Sequence, residues 1–150
     1  MNINVPMCLL NWINQDKINW QFLSLNSSEG AMQLIEKNPD KIYWPNLSMN
    51  LSEGAMQLLE KNPDKIKCSR LSKNKSEWAV RLLEKNPDKI NWKKLSANPS
   101  AIWLLEKYPE KIDWDEFPIN SSEGAIRLLE KKITINWTDL LLNIFKWRIR

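Results

Sequence analysis

The chain has 150 residues, 43% of them hydrophobic, with 22 Lys/Arg against 18 Asp/Glu. That is enough length for one ordinary domain and too much apolar content for a disordered chain. Histidine is absent, which removes the commonest general base and the commonest metal ligand, and no catalytic, cofactor-binding or metal-binding constellation stands in its place.

No apolar run approaches the roughly 18 residues a membrane span needs, so no membrane contact is expected. The N-terminus, M-N-I-N-V-P-M-C, lacks the basic start and apolar core of a secretory signal. Cys8 and Cys68 form no Cys-x-x-Cys motif and are expected as free thiols of a reducing, cytoplasmic compartment. The three glycines, Gly30, Gly54 and Gly124, fall in one repeated position and make no phosphate-cradling loop.

In chain order, residues 4–13 read as a second helix without its first, so residues 1–19 are expected to form an N-terminal half-repeat cap. A tandem pattern then takes over. Residues 28–42 read S-E-G-A-M-Q-L-I-E-K-N-P-D-K-I, and residues 52–66 repeat them with one change. Residues 76–90 read S-E-W-A-V-R-L-L-E-K-N-P-D-K-I, and shortened forms occupy 101–112 and 122–135. Trp20, Trp44, Cys68, Trp92, Trp114 and Trp137 hold one column at steps of 24, 24, 24, 22 and 23 residues. Self-similarity at such a period predicts a repeat architecture.

Each repeat predicts two short helices. The first opens after Ile-Asn or Ile-Asp, where the Asn or Asp side chain can accept an orphan backbone N–H. The Trp is its first residue, and Leu23, Leu47, Leu71, Leu95, Phe117 and Leu140 follow three later, on the same face. An Asn six residues past the Trp column (Asn26, Asn50, Asn74, Asn98, Asn120) is expected to end that helix in the left-handed conformation. Ser28, Ser52, Ser76 and Ser122 cap the second helix; in the 22-residue repeat Asn98 takes that place, followed by Pro99. Ala31, Leu34 and Ile35 begin a stripe at i, i+3, i+4 that every repeat copies. Asn38-Pro39, Asn62-Pro63, Asn86-Pro87 and Tyr108-Pro109 stop the second helix. Residues 131–135 lack that proline, so this helix is expected either to run on or to end raggedly.

Five repeats therefore span residues 20–136, and residues 137–150 read as a longer, more apolar capping helix. The expected fold is an all-α solenoid of about 24-residue helix-turn-helix repeats, one domain of around eleven short helices. Trp20, Trp44, Trp92, Trp114 and Trp137, with Leu23, Leu47, Leu71 and Leu95, are its expected core. Stacking makes that core continuous where a lone helix pair could not bury its stripe.

The unit L-L-E-K-N-P-D-K-I-N-W-K-K-L-S-A-N-P-S-A-I, residues 82–102, resembles the short tandem repeats of proteins from giant amoeba-infecting DNA viruses of the mimivirus type. The resemblance implies a viral protein made in the host cytoplasm or virus factory. Departures from it include Cys68 in the Trp column, Trp78 in the Gly column and the degenerate last repeat.

Three features are candidates for function. The first is a set of varied columns on the fixed framework. One and two residues past the Trp column stand Gln21-Phe22, Pro45-Asn46, Ser69-Arg70, Lys93-Lys94, Asp115-Glu116 and Thr138-Asp139; five past it stand Leu25, Met49, Lys73, Ala97 and Ile119. Helical repeat proteins bind through such a face, although drift at unconstrained surface positions produces the same pattern. The second is charge. Residues 61–94 carry eleven Lys/Arg against four acids, an excess of seven cations, while residues 1–60 have an excess of three acids. Lys67, Arg70, Lys93 and Lys94 could form one patch for nucleic acid or an acidic protein, or be ordinary solvated lysines. The third is Trp78 and Trp103, which stand in columns that are otherwise polar or small, as partner anchors or as local packing adjustments. Cys68 is best explained as a small hydrophobe.

The expected function is a non-enzymatic scaffold for a protein partner. Its candidate contacts are Lys67, Arg70, Lys73, Trp78, Lys93, Lys94, Trp103, Asp115 and Glu116. Two alternatives stay open: a nucleic-acid-binding repeat using residues 61–94, and a self-associating structural protein.

Overall fold

A computed structural model describes residues 15–133, all of whose regular structure is helical. The expected N-terminal half-repeat, Trp137 and the C-terminal capping helix lie outside the described residues. The chain divides into two compact units between Asn91 and Trp92.

The first unit holds three repeats. A short 3-10 turn, Gln15–Lys17, precedes α1 (Trp20–Leu25) and α2 (Glu29–Lys37). The second repeat supplies α3 (Trp44–Leu47) and α4 (Glu53–Lys61), the third α5 (Cys68–Leu71) and α6 (Glu77–Lys85). Helix α1 packs on α3, and α4 on α6. The second unit holds α7 (Trp92–Ser96), α8 (Ile102–Lys107) and α9, residues 123–133. The described residues thus contain nine α-helices where five repeats of two predict ten, the expected cap helices lying outside them. In the fifth repeat the expected first helix is instead a turn followed by a 3-10 segment, Phe117–Ile119. Pro118 has no N–H to donate to the Trp114 carbonyl, so an α-helical ladder cannot propagate there.

The caps follow the residues that predict them. Ser28, Ser52, Ser76 and Ser122 Oγ each accept the backbone N–H three residues on, at 3.2–3.4 Å. Asn19 Oδ1 accepts from the Gln21 and Phe22 amides, and Asn98 Oδ1 from that of Ser100. The second helices of repeats one to three stop at their Asn-Pro pairs, where the Asn amide turns back on its own helix. Asn38, Asn62 and Asn86 Nδ2 donate to the carbonyls of Leu34, Leu58 and Leu82 at 2.8–2.9 Å. Helix α9, with no such proline, continues to the last described residue.

After each stop the chain makes one 3-10 turn: Pro39–Lys41, Pro63–Lys65, Pro87–Lys89 and Pro109–Lys111. These third segments have no apolar periodicity to announce them. They deliver Ile42, Ile66 and Ile112 into the core.

The core is made of leucines rather than tryptophans. Leu47, Leu71, Leu95 and Phe117 are wholly buried, as are Ile35, Leu59, Leu83, Leu104 and Leu105. Burial of each such side chain contributes about 1.5–3 kcal/mol. Trp20, Trp44, Trp92 and Trp114 are only half-buried, and so are Leu23 and Cys68. The indole is large and sits at the first helical position, so its inner edge reaches the core while its outer edge meets solvent. In the second unit Trp92 lies edge-on to Tyr108 at 5.6 Å, and Trp114 edge-on to Phe117 at 5.3 Å.

Two polar columns complete the interior. Ser24, Ser48, Ser72 and Ser96 are wholly buried. Each donates its hydroxyl to the carbonyl four residues back and accepts a backbone N–H from the residue immediately before the next Trp-column position: Tyr43, Lys67, Asn91 and Asp113 respectively. Asn50, Asn74 and Asn120 are buried too. The expectation that the Asn column ends helices in the left-handed conformation is overturned, since no described residue has positive φ. The amide is held for its hydrogen bonds instead. Asn50 Nδ2 donates to the Ser24 and Asn26 carbonyls, Asn74 Nδ2 to those of Ser48 and Asn50, and Asn120 Nδ2 to those of Ser96 and Asn98. Their Oδ1 atoms accept from the amides of Ser52, Ser76 and Ser122. Among the described residues no buried side-chain N or O lacks a partner, as burial in low dielectric demands.

Candidate binding surface

With the Ser, Leu and Asn columns turned inward, the first helices leave their varied positions outside. In the first unit Gln21, Phe22, Leu25, Met49, Ser69, Arg70 and Lys73 are exposed, while Pro45 and Asn46 are half-buried. Phe22 is 71% exposed, which no packing role explains. Asn46 Nδ2 donates to the Gln21 carbonyl at 2.8 Å, and Arg70 Nη1 sits 3.4 Å from Met49 Sδ. Varied positions of successive repeats are therefore neighbours.

Between α3 and α5 this surface dips into an open groove of about 430 Å³ lined by Tyr43, Pro45, Lys67, Cys68, Ser69 and Arg70. Lys67 and Arg70 are exposed and have no acidic partner among the described residues. Cys68 is a free, half-buried thiol whose side of the groove is solvent-facing, not the sealed core position expected of a small hydrophobe. Tyr43 is not legible in the sequence as a site residue. It occupies the capping position where Asn19, Asn91 and Asp113 stand elsewhere, and like Lys67 in the next repeat it makes no side-chain cap.

Trp78 is 43% exposed, with the Arg81 guanidinium 5.5 Å from its ring centroid and that guanidinium paired to Glu77 at 2.7 Å. Lys85 pairs with Glu60 across α6 and α4 at 2.6 Å. Part of the basic stretch is thus answered by acids of its own unit.

No family model, curated protein or solved structure matches the chain.

In the second unit Lys93 is exposed and Lys94 half-buried, and both ammonium groups lie near Glu116 Oε1, at 3.8 and 3.9 Å. Glu116 is a varied residue of the following repeat, so the varied positions partly offset one another's charge. Asp115 is exposed, and its backbone N–H donates to Asp113 Oδ1. Trp103 is half-buried, less available than Trp78. Among the described residues there is no cluster of three His, Cys, Asp or Glu placed to hold a metal, and no helix long and apolar enough to cross a membrane.

Proposed function

We propose that the chain is a non-enzymatic helical-repeat scaffold for protein–protein interaction. In this reading five tandem repeats stack as an α-solenoid between half-repeat caps, and the first-helix face carries the partner. The observation that supports it most is the division of labour that recurs from one first helix to the next: Leu47 in α3 and Leu71 in α5 are wholly buried, while Met49, in the turn after α3, and Arg70, in α5, are exposed. The framework recurs and its outward positions vary, which is how repeat proteins present a binding surface. The hydrogen-bond columns that join consecutive repeats inside each unit support stacking. Trp78, exposed and braced by Arg81, is a further anchor of the kind enriched in binding hot spots. On this reading the partner belongs to an infected host cytoplasm, as the resemblance to giant-virus tandem repeats implies.

The test is affinity capture from infected cells with the intact chain and with a variant carrying Phe22→Ser, Arg70→Ser and Trp78→Ser. Partners that survive nuclease treatment and are lost by the variant, while its thermal melt is unchanged, support the scaffold. Material released by nuclease alone would shift the function to nucleic acid. A concentration-dependent mass in light scattering would shift it to self-association.

A further inference from the structure

The groove between α3 and α5 has a chemistry of its own. One wall carries the Tyr43 ring and Pro45; the other carries Lys67 and Arg70; and no acid lines it. Arg70 Nη1 lies 3.4 Å from Met49 Sδ, a weak acceptor that leaves the rest of the guanidinium open at the groove. A guanidinium matches a carboxylate in bidentate fashion. The repeat itself shows what this column accepts: in the second unit, the equivalent position Lys94 lies 3.9 Å from the carboxylate of Glu116. In the first unit the described residues supply no such carboxylate to Arg70.

We propose that this groove seats a short acidic segment of a partner protein, one carboxylate on Arg70 and Lys67 and an adjoining apolar side chain against Tyr43 and Pro45. This rests on the scaffold reading and names the chemistry of its partner. A phosphate chain fits less well. It needs cations along its track, and the preceding repeats offer Gln21-Phe22 and Pro45-Asn46 at the corresponding positions, within a stretch carrying an excess of three acids.

The experiment uses the intact chain carrying Cys8→Ser, so that Cys68 is its one thiol. A displayed library of random peptides is selected on it, and an enriched peptide is synthesised. Enriched sequences are expected to pair Asp or Glu with an aromatic or aliphatic residue. The peptide should shield Cys68 from a maleimide reagent, and its affinity should fall roughly tenfold in Arg70→Ser and again in Lys67→Ser, as loss of a charge-assisted hydrogen bond dictates. Both substitutions are at exposed positions and should leave the melt unchanged. The proposal is overturned by enriched peptides without acids, by no enrichment at all, by unchanged labelling of Cys68, or by tighter binding of a single-stranded oligonucleotide that displaces the peptide. Acidic peptides that bind but respond to Trp78→Ser and not to Arg70→Ser overturn the groove and leave the scaffold reading standing.

Discussion

The side-chain amide of Asn74 donates to the backbone carbonyl of Asn50 at 2.8 Å, one repeat earlier in the sequence. The same nitrogen reaches the Ser48 carbonyl at 3.2 Å, and Asn74 Oδ1 accepts the Ser76 amide that opens the next helix. One side chain therefore closes the loop of one repeat onto the loop of another. Asn50 makes the corresponding bonds to Ser24 and Asn26, and Asn120 to Ser96 and Asn98.

Asn74→Ala should destabilise the chain by about 2–4 kcal/mol, because it strands two buried carbonyls and an amide together. Asn74→Asp keeps the shape but cannot donate when ionised, so it should cost at least as much. Urea melts compare them. A loss below about 0.5 kcal/mol in both would show that water replaces the amide freely.

The serine column makes a related prediction. Ser48 Oγ donates to the Trp44 carbonyl and accepts the Lys67 amide at 3.1 Å. Ser48→Ala leaves that amide without its acceptor and should cost about 1–3 kcal/mol. Ser69→Ala, at an exposed position two residues from Lys67, should change the melt by no more than about 0.5 kcal/mol. Equal effects from the two would mean that the Ser48 bond adds nothing.

Much of this framework is legible in the residues, and the failures have physical causes. Ser-Glu starts and Asn-Pro stops mark the second helices because capping and proline act within a few residues. The asparagine column misleads because one residue type serves two purposes. A left-handed helix end and a long-range amide bond leave the same mark in one sequence, and only the fold brings Asn74 to Asn50. The tryptophans mislead through size: a ring that spans core and surface is as periodic as a leucine that is wholly inside. Of the groove, Lys67 and Arg70 are legible as unbalanced cations, but their meeting with Tyr43 and Pro45 is not, since it exists only where two repeats come together.

The tryptophan correction can be measured. Leu95 is wholly buried, whereas Trp92 is half-buried and keeps an edge contact with Tyr108. Leu95→Ala should cost about 2–5 kcal/mol through lost burial and an unfilled cavity. Trp92→Ala, with solvent already at one edge of its ring, should cost less, about 1–3 kcal/mol. Thermal melts of the two variants test the order. A larger loss at Trp92 would return the column to the core.

The glycine column separates two roles. A Cβ on Gly124 would lie 2.6 Å from Ile102 Cγ1, whereas one on Gly54 would meet Met32 Cε at an ordinary 3.6 Å. Gly124→Ala should therefore destabilise, because Cγ1 hangs directly from the branched Cβ of Ile102, whose χ1 is restricted in a helix, and cannot easily swing clear. Gly54→Ala should be neutral or stabilise by up to about 1 kcal/mol, from its higher helix propensity. Opposite signs in paired melts are the expected result; a shared sign would mean that Ile102 repacks without cost.

Lys93 and Lys94 both face the single carboxylate of Glu116, and Glu116 is only partly exposed. Both contacts are long and both lysines keep solvent, so each pair is weak and Glu116→Gln should cost no more than about 1 kcal/mol. It should alter the field. With the carboxylate neutralised, the two ammonium groups attract polyanions more strongly, and weak, sequence-indifferent oligonucleotide binding should tighten at low salt. The slope of log affinity against log salt should steepen by roughly one unit for each additional phosphate that the freed lysines engage. The unaltered chain should bind weakly at physiological salt, because Glu116 offsets part of the charge of these two lysines and Glu60 and Glu77 pair with Lys85 and Arg81. A filter-binding titration at two salt concentrations decides it. Tight, salt-resistant binding by the unaltered chain, indifferent to Glu116, would make the basic stretch a nucleic-acid surface and displace the protein scaffold as its function.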